Sequence, residues 1–408
     1  MHFIYNILIS IAAVVLQIIA LFNSKIQLFV AGRKEVFPIL KIKIKPTDKT
    51  IWFHAASLGE YEQGLPVIEK IKKKYPFHKI IVSFFSPSGY EVRKNNTIAD
   101  ATVYLPLDTL KNAQKFIDTV HPDIVFFIKY EFWPNYLFKL KENKIPVFLI
   151  SGIFREKQTF FKWYGGFYRK ALDSFSYFFV QNEKSLKLLH QIGKKNALIS
   201  GDTRFDRVAS ILERDNTLDC IDKFKDNKTT IVIGSSWPKD EELLMNFINY
   251  KWSECKYIIA PHNIKSEQIQ QLKNNCNKKV LLYSEKENKD LADYEVLIID
   301  TIGILTKIYS YADIAYVGGG FGQSGIHNIL EPATFGIPIV IGPNYSHFAE
   351  AIELVHLGGC ISVSSVESLE LVFNELIDNE EVRKSKGAIS AIFVQNNTGA
   401  VTAIMKKM

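Results

Sequence analysis

The chain has 408 residues, which is too long for one ordinary domain of about 100–200 residues, so we expect two globular domains. Its composition, with 47% hydrophobic and 23% charged residues, excludes intrinsic disorder, a collagen-like fibre and a small disulfide scaffold. The formal net charge of +7 is modest for this length and does not by itself indicate a nucleic-acid partner.

The first predicted element is an uncharged stretch from Phe3 to Asn23. Its 21 residues, at about 1.5 Å each, could span the hydrocarbon core of a bilayer, which is about 30 Å thick. Seven lysine and arginine residues follow between Lys25 and Lys49, against two acidic residues, and this flank stays in the cytoplasm by the positive-inside rule. We predict a transmembrane anchor over residues 1–24 that holds a cytoplasmic catalytic body at the inner membrane. A cleaved signal peptide and a buried helix of the first domain are the alternatives.

Beyond residue 50, short β-branched and aromatic runs alternate with segments of helical periodicity. The first series of predicted strands is Ile51–His54, Ile80–Phe85, Ile124–Ile128, Val147–Ile150 and Tyr177–Val180, with helices such as Tyr61–Lys74 and Asn112–Val120 between them. The second series is Thr230–Gly234, Tyr257–Ala260, Val296–Ile298, Ile314–Val317 and Ile339–Ile341. This alternation predicts right-handed crossovers and parallel, doubly wound sheets.

We therefore predict an α/β fold with two Rossmann-like lobes that face a cleft. The N-terminal domain covers residues 25–211 and a polar linker covers residues 212–228. The C-terminal domain covers residues 229–390, and a last helix over residues 391–408 could pack back on the N-terminal domain. Ligands of such folds bind at the carboxyl ends of the strands, so we expect functional residues directly after the strands.

The first candidate is Glu60, which follows the strand Ile51–His54 at the start of a helix. A carboxylate there is stabilised by the helix dipole and by unpaired backbone N–H groups. A first-turn acid with a purely structural role is the alternative interpretation. Gly59 and Gly64 lack the Lys-Ser/Thr pair of a Walker loop, which argues against ATP-dependent phosphoryl transfer.

A second candidate, Glu131, follows a strongly apolar strand, and Pro134 is placed to open the next helix. A carboxylate at the end of a buried strand should face the ligand. An acid that only caps backbone amides is the alternative.

A glycine-rich loop at residues 316–333, with the sequence YVGGGFGQSGIHNILEPA, is the most specific signal. Glycines such as Gly318, Gly319 and Gly320 would let backbone N–H groups approach an anion closely, and the following helix would direct its positive end there. Asn328 and Glu331 would share one helical face, where Glu331 could accept hydrogen bonds from a ribose. The loop predicts a nucleotide site, with a tight turn that binds no ligand as the alternative.

Metal chemistry has no support in the spacing of the histidines and cysteines. The histidines form no HxH or HExxH pattern, and we expect neither a metal nor another cofactor. The four cysteines lie far apart and are typical of reduced thiols in a cytosolic protein; they are Cys220, Cys255, Cys276 and Cys360.

Taken in order, the motifs resemble those of the Kdo transferases, which move 3-deoxy-D-manno-octulosonic acid (Kdo) from CMP-Kdo to a lipid A precursor. The resemblance covers essentially the whole chain, including the N-terminal apolar stretch. Its motifs are HAASLGE at 54–60, SPSG at 86–89, YLPLD at 104–108, EFWPN at 131–135, SGDTRFD at 200–206, GSSWPKDEE at 234–242, the glycines from 318 and HNILEP at 327–332.

The resemblance implies a membrane-anchored glycosyltransferase of the GT-B type that acts in lipopolysaccharide biosynthesis. It implies an inverting, metal-independent transfer of Kdo to lipid IVA, with Glu60 as the catalytic base and Glu131 shaping the active site. The donor's cytidine nucleotide falls on residues of the second lobe, namely Pro261, His262, Gly318, Gly319, Gly320, Asn328 and Glu331. Substrate-positioning candidates are Ser57, Gly59, Lys129 and Arg204, of which the two cations could bind the Kdo carboxylate.

Three departures from the family pattern concern the ligand contacts. Lys129 stands where many members have an acid. The usual Pro-Arg-His is here Pro261-His262-Asn263, without the arginine, and the usual Gly-Gly-His-Asn is here Gly325-Ile326-His327-Asn328.

The predicted partners are CMP-Kdo, the lipid A precursor and the anionic surface of the inner membrane. The segment Phe154–Lys170 has seven aromatic and five basic residues, so it could insert rings into that surface, or its rings could instead belong to the core. Two other functions stay open: a GT-B glycosyltransferase or epimerase that uses a UDP-sugar, and a non-catalytic membrane-tethered protein that binds nucleotide-sugars.

Overall fold

The computed structural model describes residues 1–250, 255–323 and 325–408. The chain forms two compact units. Unit 1 contains Met1–Arg207 and Thr398–Met408, and unit 2 contains Val208–Asn397. Each unit is built on a parallel sheet of seven strands, which confirms the predicted α/β fold with two doubly wound sheets.

The sheet of unit 1 has the order β3-β2-β1-β4-β5-β6-β7. Its strands are β1 (Lys49–Ala55), β2 (His78–Phe84), β3 (Ala101–Tyr104), β4 (Pro122–Ile128), β5 (Val147–Gly152), β6 (Tyr177–Val180) and β7 (Ala197–Ile199). The strand order reverses between β1 and β4, which are neighbours. Doubly wound sheets bind ligands at such a switch point, beyond the carboxyl ends of the strands.

Helices cover both faces of this sheet. They are α1 (His2–Ile19), α2 (Ser24–Lys34), α3 (Val36–Lys43), α4 (Leu58–Lys74), α5 (Pro87–Arg93), α6 (Leu110–Val120), α7 (Pro134–Glu142), α8 (Gly166–Leu172), α9 (Glu183–Gln191) and α10 (Thr203–Ala209), the last of which ends at the start of unit 2. Alternate residues of β1 enter different cores: Trp52 packs on one face, and Ile51 and Phe53 pack on the other.

Unit 2 repeats this design with the order β10-β11-β9-β8-β12-β13-β14. Its strands are β8 (Thr230–Ser236), β9 (Lys256–Pro261), β10 (Val280–Leu282), β11 (Val296–Ile298), β12 (Ile314–Val317), β13 (Ile339–Ile341) and β14 (Cys360–Ser362). Its helices are α11 (Asp219–Lys225), α12 (Pro238–Tyr250), α13 (Ser266–Asn274), α14 (Leu305–Ile308), α15 (Leu330–Thr334), α16 (Ala349–Leu357), α17 (Val366–Asp378) and α18 (Glu380–Asn396). Here the order reverses between β8 and β12.

The last helix, α19 (Ala400–Lys407), belongs to unit 1. Asp206 accepts hydrogen bonds from the N–H groups of Gly399 and Ala400, each at 3.1 Å. Because these N–H groups belong to the unpaired start of a helix, the carboxylate caps α19 from another part of the chain. This contact gives Asp206, the second aspartate of the SGDTRFD motif, a structural role.

At the N-terminus, α1 is an apolar helix of 18 residues with a mean hydropathy of 2.1 and no buried residue. By length and composition it is able to cross a membrane. The structure shows one such helix within the residues that it describes.

Candidate active site

Glu60 lies in the first turn of α4, which starts directly after β1, as predicted. Its carboxyl oxygen Oε2 accepts a hydrogen bond of 2.6 Å from the N–H group of Ala56. The side chain therefore satisfies a backbone donor at the start of the helix, while the side chain of Ser57, the N-cap residue, makes no capping hydrogen bond.

The pKa of Glu60 differs from that of a carboxylate that only caps a helix. Burial raises the pKa to about 7, and the nearby carboxyl group of Glu131 acts in the same direction. The backbone N–H groups of Ala56 and Ser57 and the charge of Lys129 lower it, but they do not outweigh burial. A carboxylate that only caps backbone N–H groups would have a lowered pKa, so Glu60 is suited to exchange protons near neutral pH.

Glu131 follows β4, the strand next to β1, so the switch point of the sheet brings the two glutamates together. Its oxygen Oε2 accepts a hydrogen bond of 2.9 Å from the indole Nε1–H of Trp133. The same oxygen lies 3.3 Å from Nε2 of His54. Pro134 opens α7 after this segment, as the sequence predicted.

His54 connects Glu131 to the buried side of the sheet. Its Nδ1 lies 2.9 Å from the hydroxyl of Ser83 on the neighbouring strand β2, and that hydroxyl accepts a hydrogen bond of 2.7 Å from Trp52 Nε1. Nδ1 also lies 3.1 Å from the carbonyl oxygen of Ser83, which can only accept, and Nε2 lies 3.0 Å from the indole Nε1–H of Trp133, which can only donate. These contacts fit hydrogen on Nδ1, with Nε2 as an acceptor. The Trp133 indole N–H is shared between His54 Nε2 and Glu131 Oε2, so the contacts that run from Ser83 through His54 and Trp133 hold the Glu131 carboxylate from behind.

The two predicted cations near this site differ in their partners. Arg204 donates to Asp202 from Nε and from Nη2, each at 2.8 Å, so an internal carboxylate already neutralises it. Lys129 has a left-handed backbone (φ 70°) just after β4, and its charge acts on Glu60. Within the described residues Lys129 makes no ion pair, and its Nζ lies 5.0 Å from the ring centre of Tyr130.

In unit 2 the glycine loop follows β12, beside the end of β8 and at the second switch point. A Cβ atom on Gly318 would lie 2.4 Å from the carbonyl oxygen of Ser235, and one on Gly320 would lie 2.6 Å from Cα of Gly342. Gly319 has a φ of +98°. These glycines are therefore required for the close approach of backbone segments, whatever ligand the loop binds.

Two of the N–H groups that we expected to face an anion already have internal partners. The N–H of Gly318 donates to the carbonyl of Gly234 at 2.9 Å, and the N–H of Gly319 donates to Asp240 Oδ2 at 2.8 Å. Asp240 also accepts a hydrogen bond from the Tyr316 hydroxyl at 2.9 Å. This buried aspartate holds the loop on the end of the sheet, and sequence reasoning did not identify it as a site residue.

The helix after the glycine loop starts later than predicted. Asn328 lies before α15 instead of sharing a helical face with Glu331, and its Oδ1 accepts a hydrogen bond of 3.1 Å from the N–H of Leu330. Its Nδ2 still donates to Glu331 Oε1 at 3.1 Å, and Thr306 donates to Glu331 Oε2 at 2.8 Å. The side chains of Asn328 and Glu331 therefore meet as expected, but Asn328 lies in the loop before the helix and not on the helix itself.

Beside this pair, three aromatic rings meet at the ends of β8, β9 and β12. Trp237 stacks on His262 with 4.5 Å between ring centres, and His262 lies 4.5 Å from His327. The Trp237 indole donates to His327 Nε2 at 2.9 Å, and burial lowers the pKa of His327. Pro261 ends β9 directly before His262. The rings offer a flat, neutral surface next to the polar pair Asn328 and Glu331.

The aromatic segment Phe154–Lys170 is divided between the core and the surface. Phe154 and Phe160 are buried in the core of unit 1, whereas the Trp163 side chain is 92% exposed and Tyr164 is exposed beside it. Phe154 and Phe160 could therefore not insert into a membrane without unfolding the segment, whereas Trp163 and Tyr164 are accessible.

Comparison with known proteins places these residues in context. The family described as "3-Deoxy-D-manno-octulosonic-acid transferase (kdotransferase)" matches residues 32–207. The 3-deoxy-D-manno-octulosonic acid transferase of Rickettsia bellii is 28% identical over 358 residues, covering 85% of this chain and 84% of that protein. The enzyme of the same name from Aquifex aeolicus is 27% identical over 320 residues, covering 77% of this chain and 81% of that protein.

Among solved structures, a UDP-GlcNAc 2-epimerase from Neisseria meningitidis bound to UDP-GlcNAc is similar over 88% of this chain and 98% of that chain, with a TM-score of 0.59 at 16% identity. MurG of Acinetobacter baumannii is similar over 88% of this chain and 100% of that chain, with a TM-score of 0.54 at 13% identity. These two likenesses concern the fold, which is the GT-B type. The relatives confirm the resemblance to Kdo transferases and the prediction that the chain is a glycosyltransferase.

Proposed function

We propose that this glycosyltransferase moves Kdo from CMP-Kdo to a hydroxyl group of a lipid A precursor, lipid IVA, with inversion and with Glu60 as the general base. The similarity to the 3-deoxy-D-manno-octulosonic acid transferases of Rickettsia bellii and Aquifex aeolicus supports Kdo as the transferred sugar and a role in lipopolysaccharide biosynthesis. The observation that carries the catalytic assignment is the buried carboxyl group of Glu60, whose pKa is raised to about 7.

A general base is most effective when its pKa lies near the working pH. At neutral pH a substantial fraction of Glu60 is ionised, yet the carboxylate remains basic enough to take the proton of an attacking hydroxyl. Release of CMP lets the acceptor oxygen attack in a single displacement, so no nucleophilic carboxylate is required. We assign Glu131 two roles: its charge helps to keep the pKa of Glu60 raised, and its side chain shapes the acceptor site.

The donor carries a carboxylate that needs a cationic partner. We assign this role to Lys129, because its charge already acts on Glu60 and it makes no ion pair within the described part of the chain. The alternative, Arg204, already forms an ion pair with Asp202. Ser57 and Gly59 precede Glu60 at the start of α4, and we assign them to positioning of the sugar.

For the nucleotide part of the donor we propose unit 2. Glu331 is half-buried and oriented by Thr306 and Asn328, so one of its oxygens could accept a ribose hydroxyl in exchange for an internal partner. The stacked rings of Trp237, His262 and His327 offer a surface for the nucleotide, with Pro261 and the loop of Gly318, Gly319 and Gly320 at its edge. Leaving-group stabilisation by backbone N–H groups of this loop other than those of Gly318 and Gly319 would then need no metal.

We propose that the catalytic body lies on the cytoplasmic side of the inner membrane, held by α1 and by the anionic lipid surface. The apolar surface of α1 and the exposed Trp163 support this location. Proximity to the bilayer would give the enzyme access to an acceptor that does not leave it.

The test is incubation of the purified protein with CMP-Kdo and tetra-acylated lipid A precursor, followed by mass spectrometry. We expect the acceptor mass to rise by whole Kdo units and CMP to be released. CMP should also raise the melting temperature more than UDP does, because a ligand stabilises the state that binds it. Stabilisation by UDP alone, with transfer or epimerisation of a UDP-sugar, would contradict the proposal.

A further inference from the structure

The helix α1 has two different faces along its entire length. Half-buried residues recur every three or four positions and so form one stripe, which consists of His2, Tyr5, Asn6, Ile9, Ala13 and Leu16. The opposite stripe carries large apolar side chains that are 42–76% exposed, which are Phe3, Ile4, Ile7, Leu8, Ile11, Val14, Val15, Ile18 and Ile19. The helix is therefore packed lengthwise on unit 1 and leaves one apolar face uncovered.

Polar contacts fix the first turns of α1 to the body of unit 1. Tyr5 donates a hydrogen bond of 2.6 Å to Asp108 Oδ2. Asn135 Nδ2 donates to Asn6 Oδ1 at 2.9 Å, and His2 Nε2 lies 2.7 Å from Asn135 Oδ1. Asp108 and Asn135 are themselves buried and bonded to each other, since the N–H of Asn135 donates to Asp108 Oδ2 at 3.1 Å.

The other end of α1 is fixed to the same unit through α2. Asn23 caps α2, and Phe29 of α2 is buried. Arg33 of α2 donates to the carbonyl of Phe85, beyond β2, at 2.8 Å. Between these contacts, Ala13 and Leu16 of α1 line a cavity of about 180 Å³ with Phe29, Arg33, Leu107 and neighbouring side chains.

A membrane-spanning helix must place its two ends on opposite sides of a hydrocarbon core of about 30 Å. Both ends of α1 are held by one folded unit, so that unit would have to enter the bilayer for α1 to span it. We propose that α1 does not span the membrane but lies in the plane of one leaflet, with its exposed apolar face in contact with lipid. This proposal refines the membrane location given above and is independent of the sugar that the enzyme transfers.

Further exposed apolar side chains lie near both ends of α1. Phe167 of α8 contacts the rings of His2 and Tyr5, and the exposed Trp163 precedes α8 by a few residues. Leu21 and Phe22, which follow α1, are 78% and 86% exposed. An in-plane helix with an exposed tryptophan beside one end and exposed apolar residues at the other is typical of a monotopic membrane contact.

The first test determines the sidedness of both termini. An epitope tag with a protease site is fused before Met1, and a second tag is fused after Met408, which belongs to unit 1. In inside-out inner-membrane vesicles we expect the protease to remove both tags to the same extent, and in right-side-out spheroplasts to remove neither. If the protease removes the N-terminal tag in spheroplasts but not in inside-out vesicles, the helix spans the membrane and the proposal is overturned.

The second test identifies what covers the exposed face. In the full-length protein, Ile4→Glu together with Ile11→Glu changes two exposed side chains of that face, and Leu371→Glu changes a side chain on α17 that is 72% exposed. We expect the double variant to lose binding to phosphatidylglycerol-containing vesicles by about tenfold or more, with the control unchanged and circular dichroism of both like the parent. Unchanged vesicle binding, with conversion of a dimer to a monomer in light scattering, would assign the face to a second copy of the chain and overturn the proposal.

Transfer activity separates this inference from the proposed function. Transfer of Kdo to acceptor dispersed in detergent does not require an in-plane helix, so loss of activity there would contradict the proposed function and leave the sidedness result intact.

Discussion

Glu131 acts on Glu60 across the switch point of the first sheet: after burial, its carboxyl group is the second cause that raises the pKa of Glu60 to about 7. The relationship arises from topology, because each glutamate follows one of two neighbouring strands, β1 and β4. Glu60 also accepts a backbone hydrogen bond at the start of α4. Its structural role and its proposed catalytic role are therefore combined in one side chain, and they can be separated by measurements of stability and activity.

The raised pKa of Glu60 predicts a gain in stability when its charge is removed. The folded state binds the proton more tightly than the unfolded state does, so the free energy of unfolding falls as pH rises from about 4.5 to about 7. Glu60→Gln keeps an oxygen for the N–H of Ala56 and has no charge to bury. We expect the variant to be more stable than the parent by roughly 1–3 kcal/mol at pH 8 and by less at pH 5, measured by urea unfolding. A destabilised variant at pH 8 would show that Glu60 acts mainly as a cap.

Substitution of Gly59 should change the stability and the activity of the protein in opposite directions. A Cβ atom at this position meets no atom within 4 Å, and the residue lies inside a helix. Gly59→Ala should therefore stabilise the protein by about 0.5–1 kcal/mol, because alanine loses less conformational entropy than glycine in a helix. If the open space belongs to the substrate, as we propose, the KM for CMP-Kdo or for the acceptor should rise. A stabilised variant with unchanged kinetics would remove Gly59 from the site. Gly64→Ala is not an equivalent control, since its Cβ would lie 2.2 Å from Ile128 Cδ1.

His54 is predicted to position Glu131 without touching substrate. His54→Gln interrupts the hydrogen bonds that run from Ser83 through His54 and Trp133 to Glu131, and we expect kcat to fall by about tenfold while CMP affinity is unchanged. The informative readout is the pH profile, because a displaced Glu131 carboxylate should shift the apparent pKa of Glu60 downward, whereas a general loss of folding would lower the amplitude without such a shift. Ser83→Ala should give a smaller effect in the same direction, and an unshifted profile in both variants would contradict the role.

Asp240 is predicted to hold the glycine loop of the donor site. Asp240→Ala removes the acceptor for Gly319 N–H and for the Tyr316 hydroxyl, which are both buried, and should lower the free energy of unfolding by about 2–4 kcal/mol and weaken CMP binding. Tyr316→Phe removes one of these hydrogen bonds and should cost about 1 kcal/mol or less with CMP affinity retained. Calorimetric titration of CMP into both variants makes the comparison. Unchanged CMP affinity in a folded Asp240→Ala protein would show that the loop is not part of the nucleotide site.

The proposed hydrogen bond between Glu331 and the ribose can be tested by removing the carboxylate. Glu331→Ala should weaken CMP binding by about 1–3 kcal/mol, because charge-assisted hydrogen bonds to the sugar are lost. Thr306→Val removes the hydrogen bond from Thr306 to Glu331 Oε2 and leaves the carboxylate in place, so it provides the control, with a smaller effect on CMP affinity. Equal effects of the two substitutions would indicate that Glu331 has a structural role alone.

Alternation of strands and helices predicted the fold because buried parallel strands are continuous apolar runs. Ten of the strands were predicted within a few residues, and the four that were missed lie at or near the sheet edges: β3, β7, β10 and β14. Three of these, β7, β10 and β14, have only three residues and are partly exposed, whereas the equally short strands β11 and β13 were predicted and are fully buried. The segment predicted as a linker contains α11, a short helix whose polar surface hides its two buried residues, Ile221 and Phe224.

The site could be predicted only where side chains follow strands in sequence. Glu60 and Glu131 were found by that rule, whereas His54 lies within a strand and resembles a core position, and Ser83 has no signal in its own strand. Asp240 was hidden among ordinary first-turn acids of α12, since only the tertiary contact with Gly319 reveals its role. Likewise α1 was predicted from hydropathy, but the stripe of contacts that holds it on unit 1 depends on residues more than a hundred positions away, such as Asp108 and Asn135.

The most direct test of the account is the pH dependence of kcat/KM for transfer of Kdo from CMP-Kdo, measured in the parent and in Glu60→Gln. The base must be ionised in the free enzyme, so the parent should gain activity as pH rises and level off above an apparent pKa of about 7. Glu60→Gln should lose about 10²–10⁴ of kcat/KM and lose this rising limb, while its CMP affinity is retained. A folded Glu60→Gln enzyme that transfers Kdo at nearly the parent rate, with the same pH profile, would contradict the assignment of Glu60 as the base.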